Sequence, residues 1–447
     1  MKIRNSHYKP LIRLGLPIMV GQLGVILLSF ADTMMVGRYS TEALAAAAFV
    51  NNMFNLVIVF ATGFSYGLTP VVGSMFGSSS EGGKGNIGAV LKNAFAVNSV
   101  AAAVLSVIML LLYFNIHRLG QPSELLPLMR PYYITLLTSL FFVLIFNAFK
   151  QFSEGVTDTK TPMLIILGGN VLNILLNWML IYGKAGFPQM GLLGAGIATL
   201  ASRVMMVVAA VAFLLFSKRF KDYRKGLFEG RLNRVDFGRL VRLGMPVGLQ
   251  MGMETASFSL TAIMVGWLGA TALAAHQVML TVGQLGFMMY YGMAAAVAVR
   301  VSNFNGRGDL SEVRNVSKAG FRLILCMAAV TSCIVMLLRF ELGNIFADNA
   351  EVAAMVAQLV IPFVVYQIGD GMKCNYSNAL RGIEDVRMVS VYAFIAYFLI
   401  SLPSAYIFGF IFDLGLPGIW LSFPLGLTSA GLMFYVRFRR TLKLRQS

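Results

Sequence analysis

Long apolar runs separated by short polar or Gly/Pro-rich breaks recur along almost the whole chain. They predict twelve helices, near residues 10–36, 44–76, 88–113, 124–152, 160–183, 191–217, 237–265, 272–304, 313–338, 352–380, 387–411 and 416–438. A helix needs roughly 20 mostly apolar residues to cross a hydrocarbon layer about 30 Å thick. The pattern is that of an all-α, polytopic membrane protein.

Composition agrees. Of 447 residues, 57% are hydrophobic and 12% charged, about half the charge content of an average soluble domain, and the mean hydropathy is +0.74. The opening residues MKIRNSHYKPLI are basic and polar, and no small-residue cleavage site follows the first apolar run, so an uncleaved first helix is expected. Cys326, Cys333 and Cys374 lie in apolar segments without metal-ligand spacing and read as structural.

The net charge of +17 would suggest nucleic acid in a soluble protein. Here the excess of basic residues in loops is the mark of cytoplasmic segments, and the expected partner is anionic lipid rather than nucleic acid. The densest basic stretch is SKRFKDYRKGLFEGRLNRVDFGRLVR (217–242), and the C-terminus VRFRRTLKLRQS repeats the theme. With a cytoplasmic N-terminus, Lys84, Lys92, Lys150, Lys160, Arg307, Arg314, Lys318 and Arg387 fall on the same side. Only Arg38, Arg118, Arg130, Lys184 and Arg339 fall opposite. The expectation is a multi-pass protein of the plasma (inner) membrane with both termini cytoplasmic.

An internal repeat organises the helices. RLGLPIMVGQLGVILLSFADTMMVGRYSTEALAA (13–46) lies over RLGMPVGLQMGMETASFSLTAIMVGWLGATALAA (242–275) at an offset of 229, with R-L-G-x-P, M-V-G and A-L-A-A in register. EGVTDTK (154–160) answers RGIEDVR (381–387), and LGAGIA (193–198) answers LPGIWL (416–421). Six crossings return the chain to its starting side, so the halves are parallel repeats. The expected division is an N-terminal lobe (1–217, helices one to six), a basic cytoplasmic linker (218–236), and a C-terminal lobe with a basic tail (237–447). Pro17 and Pro246 are matched kink points in helices one and seven.

Ionisable groups inside apolar helices are costly, about 2.5–3.5 kcal/mol at mid-helix on the insertion scale, and are functional candidates by default. Asp32, Arg203, Glu254, Asp370 and Lys373 qualify. Asp32 and Glu254 occupy equivalent helices at different registers, since Asp32 falls over Thr261 and Glu254 over Val25. Each half therefore has its own acid. Asp32 can also be read as a helix-end residue facing headgroup water near Arg38.

In GGNVLNILLNWML, Asn170, Asn173 and Asn177 share one helical face, as a polar pocket or as interhelical glue. In PFVVYQIGDGMKCNYSNALRG, Tyr366, Asp370 and Lys373 line one face. They read either as a carboxylate that exchanges protons or sodium, or as a fixed Asp370–Lys373 pair that hides two charges. Glu254 has no such partner nearby in sequence. A carboxylate taken out of water resists ionisation and a nearby cation restores it, so a membrane carboxylate can load a proton on one side and release it on the other. A cationic substrate or sodium at the same carboxylate must displace the proton, and that competition is antiport.

The segment GSSSEGGKGNIG (77–88) departs from a phosphate-binding loop because position 78 is Ser and position 85 is Gly. It reads as a flexible cytoplasmic loop, which leaves ion gradients as the energy source. His7, His117 and His276 are far apart, and no nucleophile elbow or zinc-helix pattern appears. The chain is not expected to be an enzyme, and His276, in AAHQV, reads as a packing or gating residue.

The helix-one run P-x-x-x-x-Q…ADTMMVG, the ALAA and AAHQV segments, AAAVAVRVSNFNGRGD, and the pair GVTDTK/GIEDVR resemble the MATE (multidrug and toxic compound extrusion) family, most closely its NorM-type branch. The resemblance spans nearly the whole chain. It implies twelve transmembrane helices in two lobes arranged as a V. It also implies an antiporter exporting cationic, amphipathic drug-like compounds in exchange for H+ or Na+, working as a monomer without a cofactor. By position, Glu254 and Asp370 would bind the coupling cation, Na+ included, with Tyr366 and Phe287 beside them. Asp32, with Asn173, Asn177 and Thr199, would form the N-lobe pocket, to which Asn170 is added from the shared helical face; Lys373, Arg203 and Gln277 are candidate modulators from the sequence itself. Phe287 stands where some NorM-type members have a tyrosine, so an aromatic face remains without its hydroxyl. Lys373 adds a positive charge close to Asp370, and the coupling ion stays open. A lipid-linked oligosaccharide flippase of the same superfamily is the first alternative. Its anionic cargo should call for a basic cavity, whereas this chain offers three acids against Arg203 and Lys373. A non-transporting receptor or channel is the second.

Overall fold

The computed structural model describes residues 7–78, 84–118, 122–346 and 349–446. Residues 79–83, the centre of the expected 77–88 loop, lie outside the described residues. The described chain is helical throughout, without strands. The long helices are α1 (Tyr8–Tyr39), α2 (Thr41–Ser78, broken at Tyr66 and Gly67), α3 (Lys84–Phe114), α4 (Leu126–Gly155), α5 (Lys160–Tyr182) and α6 (Leu192–Phe216). The second half holds α7 (Arg234–Gly266), α8 (Ala270–Gly306), α9 (Leu310–Leu337), α10 (Ala350–Gly382), α11 (Arg387–Ile411) and α12 (Gly415–Leu444).

Among the described residues, eleven of these are long and apolar enough to cross a membrane. The twelfth, α7, is as long, but Gln250, Glu254, Thr255, Ser257 and Ser259 dilute its apolar stretch. The helix least like a lipid-facing span is thus the one that carries Glu254. Helix starts are set by local chemistry. The Ser40 hydroxyl accepts from the Ala43 N–H at 3.1 Å, Asp309 from Glu312 at 3.1 Å, and Asn349 from Glu351 at 2.9 Å. Each satisfies an N–H that the first helical turn leaves free.

The chain packs as two compact units, one of Val20–Gly248 and the other of Met1–Met19 with Leu249–Ser447. Relative to the repeat boundaries at 217 and 237, the starts of α1 and α7 are exchanged. The R-L-G-x-P motif shows why. A side chain on Gly15 would press on Met293 of α8. At the same offset of 229, a side chain on Gly244 would collide with the Phe64 carbonyl of α2. The shared glycine permits the same close helix crossing twice, and each crossing ties a helix start to the helix that follows the other copy.

The basic segment after α6 is also built in. A short helix, Lys221–Glu229, buries Tyr223 beside the fully buried Phe220, and Phe152 of α4 meets both rings. Lys92 of α3 donates to the carbonyls of Phe228 and Gly230, at 3.3 and 2.8 Å. The charges stay at the surface while the aromatic residues dock.

Candidate functional sites in the two units

In the unit of Leu249–Ser447, three charges from two helices meet. Lys373 of α10 places Nζ 2.5 Å from Glu254 Oε1 of α7 and 2.7 Å from Asp370 Oδ1 one turn earlier on its own helix. The side chains of Lys373 and Asp370 are 2% exposed and that of Glu254 16%. At these distances the ammonium donates a charge-assisted hydrogen bond to each carboxylate. The i, i+3 pair read from sequence is present, and Glu254, which lacks a partner in sequence, receives the same lysine from α10. Two acids share one base, leaving a formal excess of one negative charge.

The walls of this cluster are aromatic. Nζ of Lys373 stands 5.1 Å from the Phe287 ring centroid, so the π-face expected to meet a cation meets the chain's own ammonium. The Tyr397 hydroxyl donates to Glu254 Oε2 at 3.1 Å. Tyr397 lies in a π-helical stretch of α11, Ile395–Ser401, a rare form found mostly as short segments at functional sites. Nothing in the residue pattern around position 397 announced this role. The Cys374 thiol lies 3.8 Å from Asp370 Oδ1, while Asp370 Oδ2 is buried without a hydrogen-bond partner.

Tyr366 is drawn instead into ring packing. It stacks on Phe363 at 5.6 Å and meets Phe423 edge-on at 6.5 Å. His276 is fully buried. Its Nδ1 accepts from the Trp420 indole N–H at 3.1 Å, and its ring lies against Phe423. Gln277 is exposed. Behind Asp370, Tyr290 of α8 donates to Gln367 of α10 at 2.7 Å, a buried tie that the charge pattern did not reveal.

In the unit of Val20–Gly248 the acid is solved differently. Asp32 of α1 accepts from the Asn177 amide at 2.5 Å, and the same amide nitrogen lies 2.8 Å from Asn173 Oδ1. The Asn173 amide in turn reaches Thr199 and Ser202 of α6, each at 3.4 Å. The shared face of Asn173 and Asn177 does converge on Asp32, and both asparagines are fully buried. Asn170 sits one turn away, its amide against α1 at Gly24. Arg203 donates from Nη1 to the Ser139 hydroxyl of α4 at 2.5 Å. Ser202, which joins the network, and Ser139, which holds Arg203, have no sequence signal of their own. Asp32 is half-buried and is met here by the Asn177 amide.

Among the described residues no three His, Cys, Asp or Glu side chains gather as a metal-binding group. What the geometry offers is a pair of buried carboxylates bridged by a lysine in one unit, and a carboxylate held by a chain of amides in the other.

These features sit on a bundle of membrane-length helices in which the same sequence motifs occur twice, the plan of a polytopic membrane protein. The MatE family model matches residues 17–179 and again 246–407, so both copies of the repeat are copies of the family unit. The chain belongs to the MatE family and is a multi-pass membrane transporter of that family. Solved structures agree in fold. A MOP superfamily transporter from Pyrococcus furiosus, whose binding pocket has reversed polarity, superposes with a TM-score of 0.90 at 20% identity, over 100% of this chain and 98% of that one. An outward-facing multidrug resistance MATE family transporter of the MOP superfamily gives 0.89 at 21%, over 99% and 98%. A eukaryotic MATE transporter gives 0.86 at 18%, over 98% of each chain.

Proposed function

We propose that the protein is a proton-coupled antiporter that exports cationic, amphipathic compounds. The observation that supports this most directly is Lys373 seated on both Glu254 and Asp370. A sodium ion needs several oxygens around it, and here an internal ammonium already engages one oxygen of each acid. A proton needs only one oxygen, and Asp370 keeps Oδ2 free of hydrogen bonds. Neutralising either carboxylate weakens its attraction for Lys373 and so biases the packing of α7 on α10. A two-state carrier is driven by such a bias.

The second acid serves the cargo. Asp32 and its amide neighbours make an acidic, hydrogen-bonding pocket suited to an organic cation. The Pyrococcus furiosus relative has a pocket of reversed polarity. Asp32 is the reason to assign a cationic rather than an anionic cargo here.

Ethidium export, read as uptake into everted membrane vesicles with an imposed pH or sodium gradient, tests the reading. A pH gradient is expected to drive efflux, and Glu254→Gln, Asp370→Asn and Asp32→Asn are each expected to abolish it. Sodium-driven efflux at clamped pH would overturn the proton assignment, and full coupled efflux in all three variants would overturn the mechanism.

A further inference from the structure

A cavity of about 170 Å³ opens where α9 begins and where α10 and α12 end. Its walls carry Arg314 and Lys318 of α9, Tyr376 of α10, and Tyr435, Phe438 and Arg439 of α12. At roughly 30 Å³ per water, this is room for a group several waters in size. Ser317, fully buried, also lines the cavity, and its Oγ has no hydrogen-bond partner. Its own carbonyl is fixed by the Asn375 amide at 3.2 Å, so its backbone is held in place.

Charge distinguishes this cavity from the rest of the same helix end. Two residues before Arg439, Arg437 forms a bidentate pair with Asp385, at 2.7 and 3.0 Å, and Thr441 donates to the same carboxylate at 2.5 Å. Arg314, Lys318 and Arg439 have no carboxylate within 4 Å among the described residues. Arg439 leans instead on the Tyr435 ring, 5.6 Å from its centroid, and donates to the Tyr435 hydroxyl at 3.3 Å. The Tyr376 ring is wedged against Tyr435 at 4.8 Å and Phe438 at 6.0 Å. Three cations without counter-charges, a phenol and an orphan hydroxyl thus surround one space with apolar walls.

Tyr376 lies six residues before the end of α10, about 9 Å along the helix axis at 1.5 Å per residue. The cavity therefore lies within two turns of the helix end, on the side where the loops are basic and anionic lipid is the expected neighbour. We propose that this cavity binds the phosphodiester of an anionic phospholipid. Arg314, Lys318 and Arg439 neutralise the phosphate, Ser317 and Tyr376 donate hydrogen bonds to it, and Phe438 and Leu442 meet the glycerol and upper chain.

Native mass spectrometry of the full chain in detergent, titrated with phosphatidylglycerol, phosphatidylcholine or inorganic phosphate, tests this. The wild type is expected to retain one phosphatidylglycerol in preference to phosphatidylcholine. Each cation near an anionic lipid surface is worth about fivefold, so Arg314→Gln combined with Arg439→Gln should weaken phosphatidylglycerol roughly thirtyfold and leave phosphatidylcholine unchanged. Tyr376→Phe, which removes a single hydroxyl and keeps the ring packing, should cost roughly tenfold, the value of a hydrogen bond to a charged group, and decides the matter where the double variant fails to fold. Equal phosphatidylglycerol affinity in wild type and Tyr376→Phe, together with the folded double variant, would overturn the site. Displacement of phosphatidylglycerol by millimolar inorganic phosphate would overturn its assignment to lipid.

Discussion

Asp32 and the Glu254–Asp370 pair answer the same problem, a carboxylate inside a membrane bundle, with different chemistry. In the second unit the two acids close on an internal lysine, so most of the charge is cancelled within 3 Å. In the first unit no base approaches within ion-pair distance among the described residues, and Asp32 is held by the Asn177 amide with Asn173 behind it. A buried ion pair is expensive to open from one side, because the remaining charge is left in a poor solvent. An amide-held acid loses only a hydrogen bond. The repeat therefore carries one strongly coupled electrostatic element and one weakly held acid whose charge remains available to a ligand. The proposed function assigns ion coupling to the first of these elements and cargo to the second.

The contrast is most sharply broken by Lys373→Met, which leaves Glu254 and Asp370 facing each other without a base. Removing one partner of a buried pair costs about 3–5 kcal/mol, expected as a large fall in Tm of the purified protein. Adding Asp370→Asn should recover much of it, and a double variant no more stable than Lys373→Met would show that the pair is not coupled as its geometry implies. Asn177→Ala should cost less, about 2 kcal/mol for a hydrogen bond to a charged group, with a matching loss of ethidium affinity. A variant that loses stability but keeps full affinity would detach Asp32 from the cargo site.

Tyr397→Phe removes only the second support of Glu254, a longer hydrogen bond to a charged group, and should cost about 1.5 kcal/mol, while moving the pH at which efflux is half-maximal. An unmoved profile would make Tyr397 a packing residue. The smallest effect concerns Asp385, outside the spanning segments. Burial acts to raise its carboxyl, but hydrogen bonds from Arg437 and Thr441 and the charges of Arg437 and Arg445 outweigh it and hold the group below its ordinary 3.8. A carboxyl lowered by folding stabilises the fold above that value and loses the contribution as pH falls below it. Asp385→Asn should thus lower Tm slightly at neutral pH and converge with wild type on acidification below 3.8. A constant gap between the two curves would mean that the pair with Arg437 contributes nothing through charge.

The pairing of Asp370 with Lys373 was legible because both lie one turn apart on a single helix, where spacing dictates proximity. The convergence of Asn173 and Asn177 was legible for the same reason. Glu254 was visible only as an acid without an explanation, since its partners Lys373 and Tyr397 are 119 and 143 residues away. Tyr397 also sits on a π-helical stretch whose register a 3.6-residue period does not anticipate.

The amino-acid sequence by itself determined the solvent, the helix count and the two-copy plan. Apolar runs of membrane length have few places to go other than a bilayer, and an offset of 229 residues, gap-free over 13–46 and 242–275 and falling to 223 by the last pair, ties the two halves to one structural unit. It also marked the costly charges, because a carboxylate in an apolar run is conspicuous wherever its partner lies. Tertiary structure alone decided which charges meet, that Phe287 faces the protein's own lysine, and that the matched R-L-G-x-P segments exchange their helix starts. Those outcomes depend on which faces of distant helices come within a few ångströms. Side-chain Coulomb attraction and close packing act through space, while the pattern of residues records only the distance along the chain.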